Sequence, residues 1–226
     1  MFKIFKEFYL IKNFPKNYPW YKRVLSNLAF VFSRIIIHKR ENQLNFKDLI
    51  KVDLKLRKGD IIICGEQETI FSKIIGDAVN HAVIYVGRRR FVEATGKGVS
   101  YISFHKLFTY YNSFILLRTV KGTKHKIKRA AIKWAKQKVG NPYNYEWKTK
   151  SGTYFCSQLT NEAYLHAGYK TKLRSMTQPK SLKLKVETKI TKAAAALRPA
   201  RMIRGNFRII LVSHNLEIKG KKIFIK

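Results

Sequence analysis

Cys156 is the residue of this sequence best placed to act as a nucleophile. The apolar spacing that follows it predicts a helix over 156–167, so its thiol lies at a helix N-terminus. Free backbone N–H groups and partial positive charge at that position favour a thiolate. The only other cysteine, Cys64, ends an apolar run and is typical of a buried, unreactive residue. Because most cysteines are of that kind, Cys156 indicates catalysis only if it has partners.

A catalytic cysteine needs an imidazole within hydrogen-bond reach to form an ion pair with it and to protonate the leaving group. His81 is the candidate, because it begins a predicted buried strand in the least charged part of the chain. A histidine that only satisfies the end of a strand is the alternative. The other five histidines lie beside lysines, on the backs of helices or near the C-terminus, and are predicted to be structural or solvated: His38, His105, His125, His166 and His214.

Glu93 is the candidate for the third member of the site, and it is the only acidic residue between Asp77 and Glu146. A carboxylate on the strand beside the histidine can accept from the second imidazole nitrogen and fix the tautomer. A regular two-residue hairpin would place His81 and Glu93 on opposite faces of the sheet. The hypothesis therefore requires an irregular connection at 87–90, and a solvated edge glutamate is the alternative.

Short β-branched runs and helical spacing predict the elements that position these side chains. Sequential strands with short connections favour antiparallel pairing in a small sheet. The predicted strands are 61–64, 81–87, 91–95 and 114–120, followed by strand-like segments at 207–213 and 216–226. The predicted helices are 126–139, ending at Gly140, and 156–167, ending at Gly168.

The net charge of +34 on 226 residues has two interpretations, attraction to an anionic partner or a coding bias toward lysine. Its distribution is uneven, because residues 59–120 hold 7 basic and 5 acidic residues whereas the flanking segments are strongly basic. A nucleic-acid binder concentrates its cations on a recognition element, and none of the short nucleic-acid motifs is present. The charge therefore does not favour a nucleic-acid partner.

The N-terminal region shows no convincing signal peptide and no transmembrane helix. Its best apolar stretch, 24–37, contains Arg34 and is shorter than the roughly 20 residues that span a bilayer. We interpret it as a core helix, with a helix at a membrane surface as the alternative. The predicted location is cytoplasmic or peripheral to a membrane.

Five short motifs occur along the chain in a fixed order, and together they resemble a known family. They are LRKGDI (56–61), NHAVIYVG (80–87), FVEA (91–94), VGNPYN (139–144) and YFCSQL (154–159). In this order they resemble the NlpC-type (papain-like) cysteine peptidase superfamily, in particular its circularly permuted YiiX/YaeF-like branch. The offset of twelve positions from His81 to Glu93 is similar to the spacing in that superfamily.

The resemblance implies an α+β, permuted papain-like fold, with a small antiparallel sheet or half-barrel packed against the helix that bears the nucleophilic cysteine. It implies that Cys156 is the nucleophile, His81 the general base and acid, and Glu93 the orienting residue, with no metal and no cofactor. Tyr143 and Gln158 lie in the matching motifs and are candidates for substrate contacts at the rim of the site.

The resemblance covers residues 54–182, which we predict to be the hydrolase domain. A basic, partly helical extension, 1–53, precedes it, and a basic extension, 183–226, follows it. The sequence gives no prediction of the oligomeric state.

The predicted function is a cysteine hydrolase of the amidase or peptidase type, which cleaves amide or related acyl bonds through an acyl-enzyme on Cys156. Its substrate would be a peptide, lipid or cell-wall-type acyl compound. One alternative is a lipid acyl hydrolase or acyltransferase of the lecithin retinol acyltransferase-like kind, acting at an anionic membrane surface. Another is a non-catalytic basic module that binds anionic polymers.

Overall fold

The apolar runs of the sequence form the strands of a mixed α+β fold. The computed structural model describes residues 9–35, 43–66, 77–145, 152–173 and 197–226. The helices are α1 (Trp20–Ser33), α2 (Phe46–Lys55), α3 (Phe104–Tyr110), α4 (His125–Gln137) and α5 (Cys156–His166), with a 3-10 helix at Pro199–Arg204. The strands are β1 (Ile61–Gly65), β2 (His81–Gly87), β3 (Arg90–Thr95), β4 (Gly98–Ser103), β5 (Ser113–Thr119), β6 (Phe207–Val212), β7 (Leu216–Lys219) and β8 (Lys222–Ile225).

Six strands form one antiparallel sheet in the order β4-β3-β2-β1-β5-β6. The predicted strands and their antiparallel pairing are confirmed. Strand β1 lies in the middle of the sheet, where Ile61 and Ile63 pack into one core cluster and Ile62 and Cys64 pack into another. Because both faces of β1 are covered, its sequence is apolar without alternation.

Helices cover both faces of the sheet. On the first face α4 and α5 pack against β2, burying Ala131, Ala135, Leu159 and Ala163. On the second face α2 and α3 contribute Val52, Phe104 and Leu107. The predicted helices at 126–139 and 156–167 are confirmed as α4 and α5, each within two residues of the predicted ends.

The described C-terminal residues pack on the same core, but only β6 joins the six-stranded sheet, and β7 and β8 form a separate two-stranded sheet. Strand β6 pairs with β5 along the edge of the sheet, and the 3-10 helix buries Met202 beside it. The strand-like segment predicted at 216–226 is the hairpin of β7 and β8, which turns at Gly220. Residues 183–196 of the predicted C-terminal extension lie outside the described residues.

Helix α1 has its apolar side turned away from the protein. Leu25 and Leu28 are half exposed, and Trp20 is 76% exposed. The buried position of the helix is instead the polar Ser26, whose hydroxyl is hydrogen-bonded to Tyr18. The interpretation of 24–37 as a core helix is therefore wrong for the described part, 24–35. No helix in the described ranges is both long enough and apolar enough to cross a membrane.

Candidate active site

The start of helix α5 holds Cys156 in a defined position. Cys156 is the first residue of the helix, and Phe155 before it has an extended backbone (φ −98°, ψ 164°). The Phe155 N–H donates to Gln158 Oε1 at 3.4 Å, and its carbonyl accepts from the Leu159 N–H at 2.9 Å. These bonds fix the chain where it enters the helix, with Cys156 as a buried free thiol.

His81 and Glu93 are joined by a buried hydrogen bond of 2.8 Å between Nε2 and Oε2. Both side chains are less than a tenth exposed. Since Nε2 contacts Glu93, Nδ1 is the ring nitrogen left for Cys156, with which the imidazole is also hydrogen-bonded. The structure thus brings the three residues predicted for the site into one chain of contacts.

A bulge in strand β2 lets the side chains of His81 and Glu93 lie on the same face of the sheet. The register between β2 and β3 shifts by one residue between Tyr85 and Gly87, so Val86 is an extra residue in β2. The turn itself contains only two residues, Arg88 and Arg89, both with positive φ. The irregularity required by the sequence is present, but it lies in the strand just before the turn instead of within the turn.

The environment of Cys156 favours its thiolate. Burial is the largest single influence on the thiol and raises its pKa, whereas the hydrogen bond and the charge of His81 lower it. Hydrogen bonds from the backbone N–H groups of Ala82 and Ser157 act in the same direction, so the pKa of Cys156 lies below its ordinary value of 9.0. The Ser157 N–H is one of the donors at the start of α5 that have no acceptor within the helix backbone.

The environment of His81 favours its cation. Burial lowers the pKa of the imidazole, but the hydrogen bonds and charges of Cys156 and Glu93 outweigh burial and raise the pKa from 6.5 to about 9. The opposite shifts of the thiol and the imidazole have one consequence. Both shifts favour a thiolate beside an imidazolium, the reactive form of a cysteine nucleophile.

Tyr111 stacks on the imidazole of His81 with ring centroids 5.0 Å apart and an interplanar angle of 6°. It is the residue just after α3 and is buried. An aromatic face over an imidazolium stabilises the positive charge and restricts rotation of the ring. Sequence reasoning missed this contact because Tyr111 lies in no motif and reaches His81 only through the folding of the sheet.

Tyr143 lies near the nucleophile, in the segment that makes an isolated bridge with Tyr154 just before α5. Burial of its hydroxyl raises the pKa of Tyr143 well above its ordinary value of 10.0, and negative charge on Cys156 raises it further. The phenol is therefore protonated at neutral pH, and its hydroxyl experiences the charge of Cys156.

The structure places Gln158 away from the rim. Its side chain is buried, and Oε1 accepts from Asn144 Nδ2 at 3.1 Å as well as from the Phe155 N–H. Its Nε2 donates to Glu162 Oε1 at 2.9 Å. With both ends of the amide engaged inside the protein, Gln158 secures the start of α5.

A cleft lies beside the Glu93 side of the site. It is lined by Glu93 and Tyr111 together with Arg34 at the end of α1 and Lys97 in the turn between β3 and β4. Arg34 Nη1 bonds Glu66 Oε2 at 3.0 Å, and Asn80, the residue before His81, donates to the Glu66 carbonyl at 3.1 Å. The end of α1 is thus tied to the segment that carries the imidazole.

Cys64 does not take part in this arrangement. It pairs with His81 in the register of β1 and β2, and it is completely buried in the second core cluster. Burial raises the pKa of its thiol well above 9.0. The expectation that Cys64 is the unreactive cysteine agrees with this environment.

The strands that carry His81 and Glu93 precede the helix that begins at Cys156. This order is that of a permuted papain-like protein. Residues 55–206 match the permuted papain-like amidase enzymes of the YaeF/YiiX, C92 family. The match spans well over half of the chain, and the chain belongs to this family. Membership indicates a cysteine hydrolase acting on a peptide or other acyl substrate.

The fold is also similar to a solved structure, the crystal structure of metalloprotein yiiX from Escherichia coli O157:H7. The TM-score is 0.54 at 17% sequence identity, covering 70% of this chain and 97% of that chain. At this identity the likeness shows the shared fold. Among curated proteins, no sequence matches this chain.

Proposed function

We propose that this protein cleaves an amide bond through an acyl-enzyme on Cys156, with His81 as acid and base and Glu93 as the orienting carboxylate. One observation carries the proposal, the position of the His81 ring between Glu93 and the Cys156 thiol, in which each ring nitrogen has a defined partner. The opposite pKa shifts of the thiol and the imidazole support the same roles.

The proposed reaction has two halves. The Cys156 thiolate attacks the acyl carbon, and the imidazolium of His81 gives its proton from Nδ1 to the leaving nitrogen as the C–N bond breaks. The neutral imidazole then takes a proton from water, the hydroxide attacks the thioester, and the thiolate leaves with the carboxylic acid released. Glu93 keeps Nε2 occupied in both halves, so Nδ1 always faces the reacting atoms.

Two donors are proposed to stabilise the negative oxygen of the tetrahedral intermediates. The backbone N–H of Cys156 is at the start of α5, where it has no partner within the helix. The Tyr143 hydroxyl, close to Cys156 and protonated at neutral pH, is the second donor. Tyr143 therefore takes the substrate-contact role predicted from the sequence, whereas Gln158 is proposed to act only on the helix start.

The test is labelling by a thiol-directed activity probe at neutral pH, with peptide mapping of the adduct. We expect the probe to label Cys156 and not Cys64, and His81→Ala to slow labelling by roughly a hundredfold, as expected for loss of a general base. Cys64→Ala is the matched control and should react like the unaltered protein. Labelling of neither cysteine, or equal labelling of His81→Ala, contradicts the proposal and leaves the non-catalytic binding module as the remaining function.

The solved neighbour is described as a metalloprotein. Among the described residues, no group of three or more His, Cys, Asp and Glu side chains is arranged to hold a metal ion. The imidazole nitrogens of His81 are already engaged by Glu93 and Cys156. Within the described part of the chain the side chains do not fit a metal site, and the proposed mechanism has no metal step.

A second candidate function is hydrolysis or transfer of an acyl group from a lipid. The observation that favours it is the exposed apolar side of α1, because the same helix ends at Arg34, which lines the cleft beside Glu93. Turnover of an acylated lipid but not of amide substrates, lost in Cys156→Ala, would favour this candidate over the amidase.

A further inference from the structure

Helix α1 has the opposite orientation to an ordinary surface helix, which buries its apolar side. Arg23 of this helix is exposed, and the exposed large apolar or aromatic side chains are Trp20, Tyr21, Val24, Leu25, Leu28 and Phe32. At 3.6 residues per turn these six positions occupy one arc of about 140°. The exposed set is therefore a single continuous stripe, and we call it the α1 stripe.

The polar side of the same helix holds the helix against the protein. Asn27 accepts from the Ile11 N–H at 2.6 Å and donates to the Ile11 carbonyl at 3.3 Å. Ser26 is buried against Tyr18, and Arg23 Nε donates to the Tyr18 carbonyl at 2.9 Å. Because these bonds specify which side faces inward, the outward direction of the α1 stripe is a fixed feature of the fold.

The charges around the stripe have one sign. Residues 9–35 contain five basic residues and no acidic residue: Lys12, Lys16, Lys22, Arg23 and Arg34. Lys22 and Arg23 each lie about 60° beyond one edge of the stripe on a helix of 3.6 residues per turn. The positive charge of these side chains attracts lipid phosphates while the apolar residues of the stripe enter the acyl region.

We infer that the α1 stripe is a docking surface for an anionic lipid bilayer, with α1 lying in the plane of the headgroups. The inference rests on the side chains of α1 and is independent of any catalytic role for Cys156. Trp20 and Tyr21 at the first two positions of the helix are residue types enriched at membrane interfaces. Each of the flanking cations adds attraction to an anionic leaflet.

A second copy of the chain fits the same surface less well. A two-fold interface through α1 would bring two segments of only basic charge together, because residues 9–35 offer no carboxylate to compensate. The net charge of +34 on each copy adds to this repulsion. An anionic bilayer, by contrast, complements both the apolar stripe and the charge.

The test is flotation of the full chain with vesicles of phosphatidylcholine alone or with added phosphatidylserine, at physiological salt. We expect binding to the anionic vesicles and at least tenfold weaker binding of Leu25→Ser/Leu28→Ser, which loses apolar surface from the stripe. The matched control is Leu165→Ser/Ile209→Ser, which alters two leucine-sized residues of similar exposure on α5 and β6. The control should bind like the unaltered protein.

Other outcomes overturn the inference. If the protein does not bind anionic vesicles, the inference is wrong. If both double variants bind equally well, the protein adsorbs by charge alone and the stripe is not the docking surface. Sedimentation of the lipid-free protein as a dimer that Leu25→Ser/Leu28→Ser dissociates would assign the stripe to a second copy. If the double variant unfolds, Trp20→Ser replaces it, because Trp20 is 76% exposed and its removal leaves the packing intact.

Discussion

His81 has two partners that both favour its protonated form. Glu93 accepts from one nitrogen, and the thiolate of Cys156 accepts from the other. The ion pair therefore persists between the lowered pKa of Cys156 and the pKa of about 9 of His81. Above about pH 9 the imidazolium loses its proton and can no longer protonate a leaving group, so turnover should fall on that side.

Removal of the His81 side chain should reverse the direction of the pKa shift of Cys156. In the unaltered protein the ultraviolet absorbance of the thiolate should appear at a pH below 9.0. In His81→Ala the burial that opposes ionisation acts without the compensating imidazole, so the same absorbance should appear above 9.0. Cys156→Ser provides the baseline, and a thiolate pKa unchanged by His81→Ala would contradict the ion pair.

Tyr111 is predicted to stabilise the charge of the imidazolium. Tyr111→Leu removes the aromatic face and should lower the pKa of His81 from about 9 by roughly one unit, the size expected for a buried cation–π contact. Ring resonances of His81 followed by nuclear magnetic resonance, identified by their absence in His81→Ala, measure this value.

Tyr111→Phe is the control, because it keeps the stacked ring and removes only the hydroxyl. It should leave the His81 pKa near that of the unaltered protein. A purely structural role for Tyr111 would lower the stability of Tyr111→Leu without moving the titration.

At the residue scale, the sequence predicted the three central side chains because each one lies in a local motif. Glu93 could be paired with His81 by offset and by the requirement for an irregular connection. The motif position of Gln158 shows only that it follows Cys156, and its burial depends on contacts with Asn144 and Glu162 that the motif does not show. Contacts that join distant segments leave no local pattern.

The turn before β1 is held by a buried ion pair that links two neighbouring strands. Asp60 accepts from Arg118 Nε and Nη2, both at 2.7 Å, and from the Arg57 N–H at 2.7 Å. Arg118 lies on β5, the strand beside β1. This contact gives the LRKGDI motif a structural role, because it fixes the start of the central strand.

Asp60→Asn should lower the free energy of unfolding by about 3 kcal/mol, because it leaves the buried guanidinium of Arg118 without its counter-charge. Urea unfolding measures this loss. The matched control is Asp53→Asn, since the pair of Asp53 and Arg89 at 3.1 Å is exposed and should contribute less than about 1 kcal/mol. Equal losses in the two variants would show that the Asp60 pair is not the anchor of this turn.

At the element scale, apolar runs predicted the buried strands, whereas the more polar strand β4 was missed. Strand β4 contains Ser100, Tyr101 and Ser103 among only two large aliphatic residues, so it lacks the pattern of a core strand. For helix α1 the sequence showed the apolar side of the helix but not the direction in which that side points. Periodicity identifies an apolar side, but hydrogen bonds from Asn27 to a distant backbone decide which side faces the protein.

The net charge of +34 is a property of the whole molecule with consequences for stability. Like charges repel in the compact state, and salt screens this repulsion. The weakly charged segment 59–120 forms most of the sheet, so the excess charge belongs to the segments around it. The sequence predicted this distribution directly, because charge counts need no knowledge of contacts.

Stability should therefore increase with ionic strength. The thermal midpoint should rise when sodium chloride is increased from about 0.01 to about 0.15 M, over which the screening length falls from about 30 to about 8 Å. Differential scanning calorimetry measures the midpoint, with sucrose at matched osmolality as the uncharged control. A midpoint that falls over this range would contradict a dominant role for self-repulsion.

Strand β6 is the neighbour of β5 in the sheet, yet the chain makes α4, α5 and the 3-10 helix between them. A ribosome adding about 5–20 residues per second needs on the order of 10 s to cover that interval. During this time the hydrogen-bonding edge of β5 has no strand to pair with, although the segments bearing His81 and Cys156 have already been synthesised. Two nascent chains can therefore pair with each other through this open edge and aggregate. The hazard ends when β6 leaves the ribosome and pairs with β5.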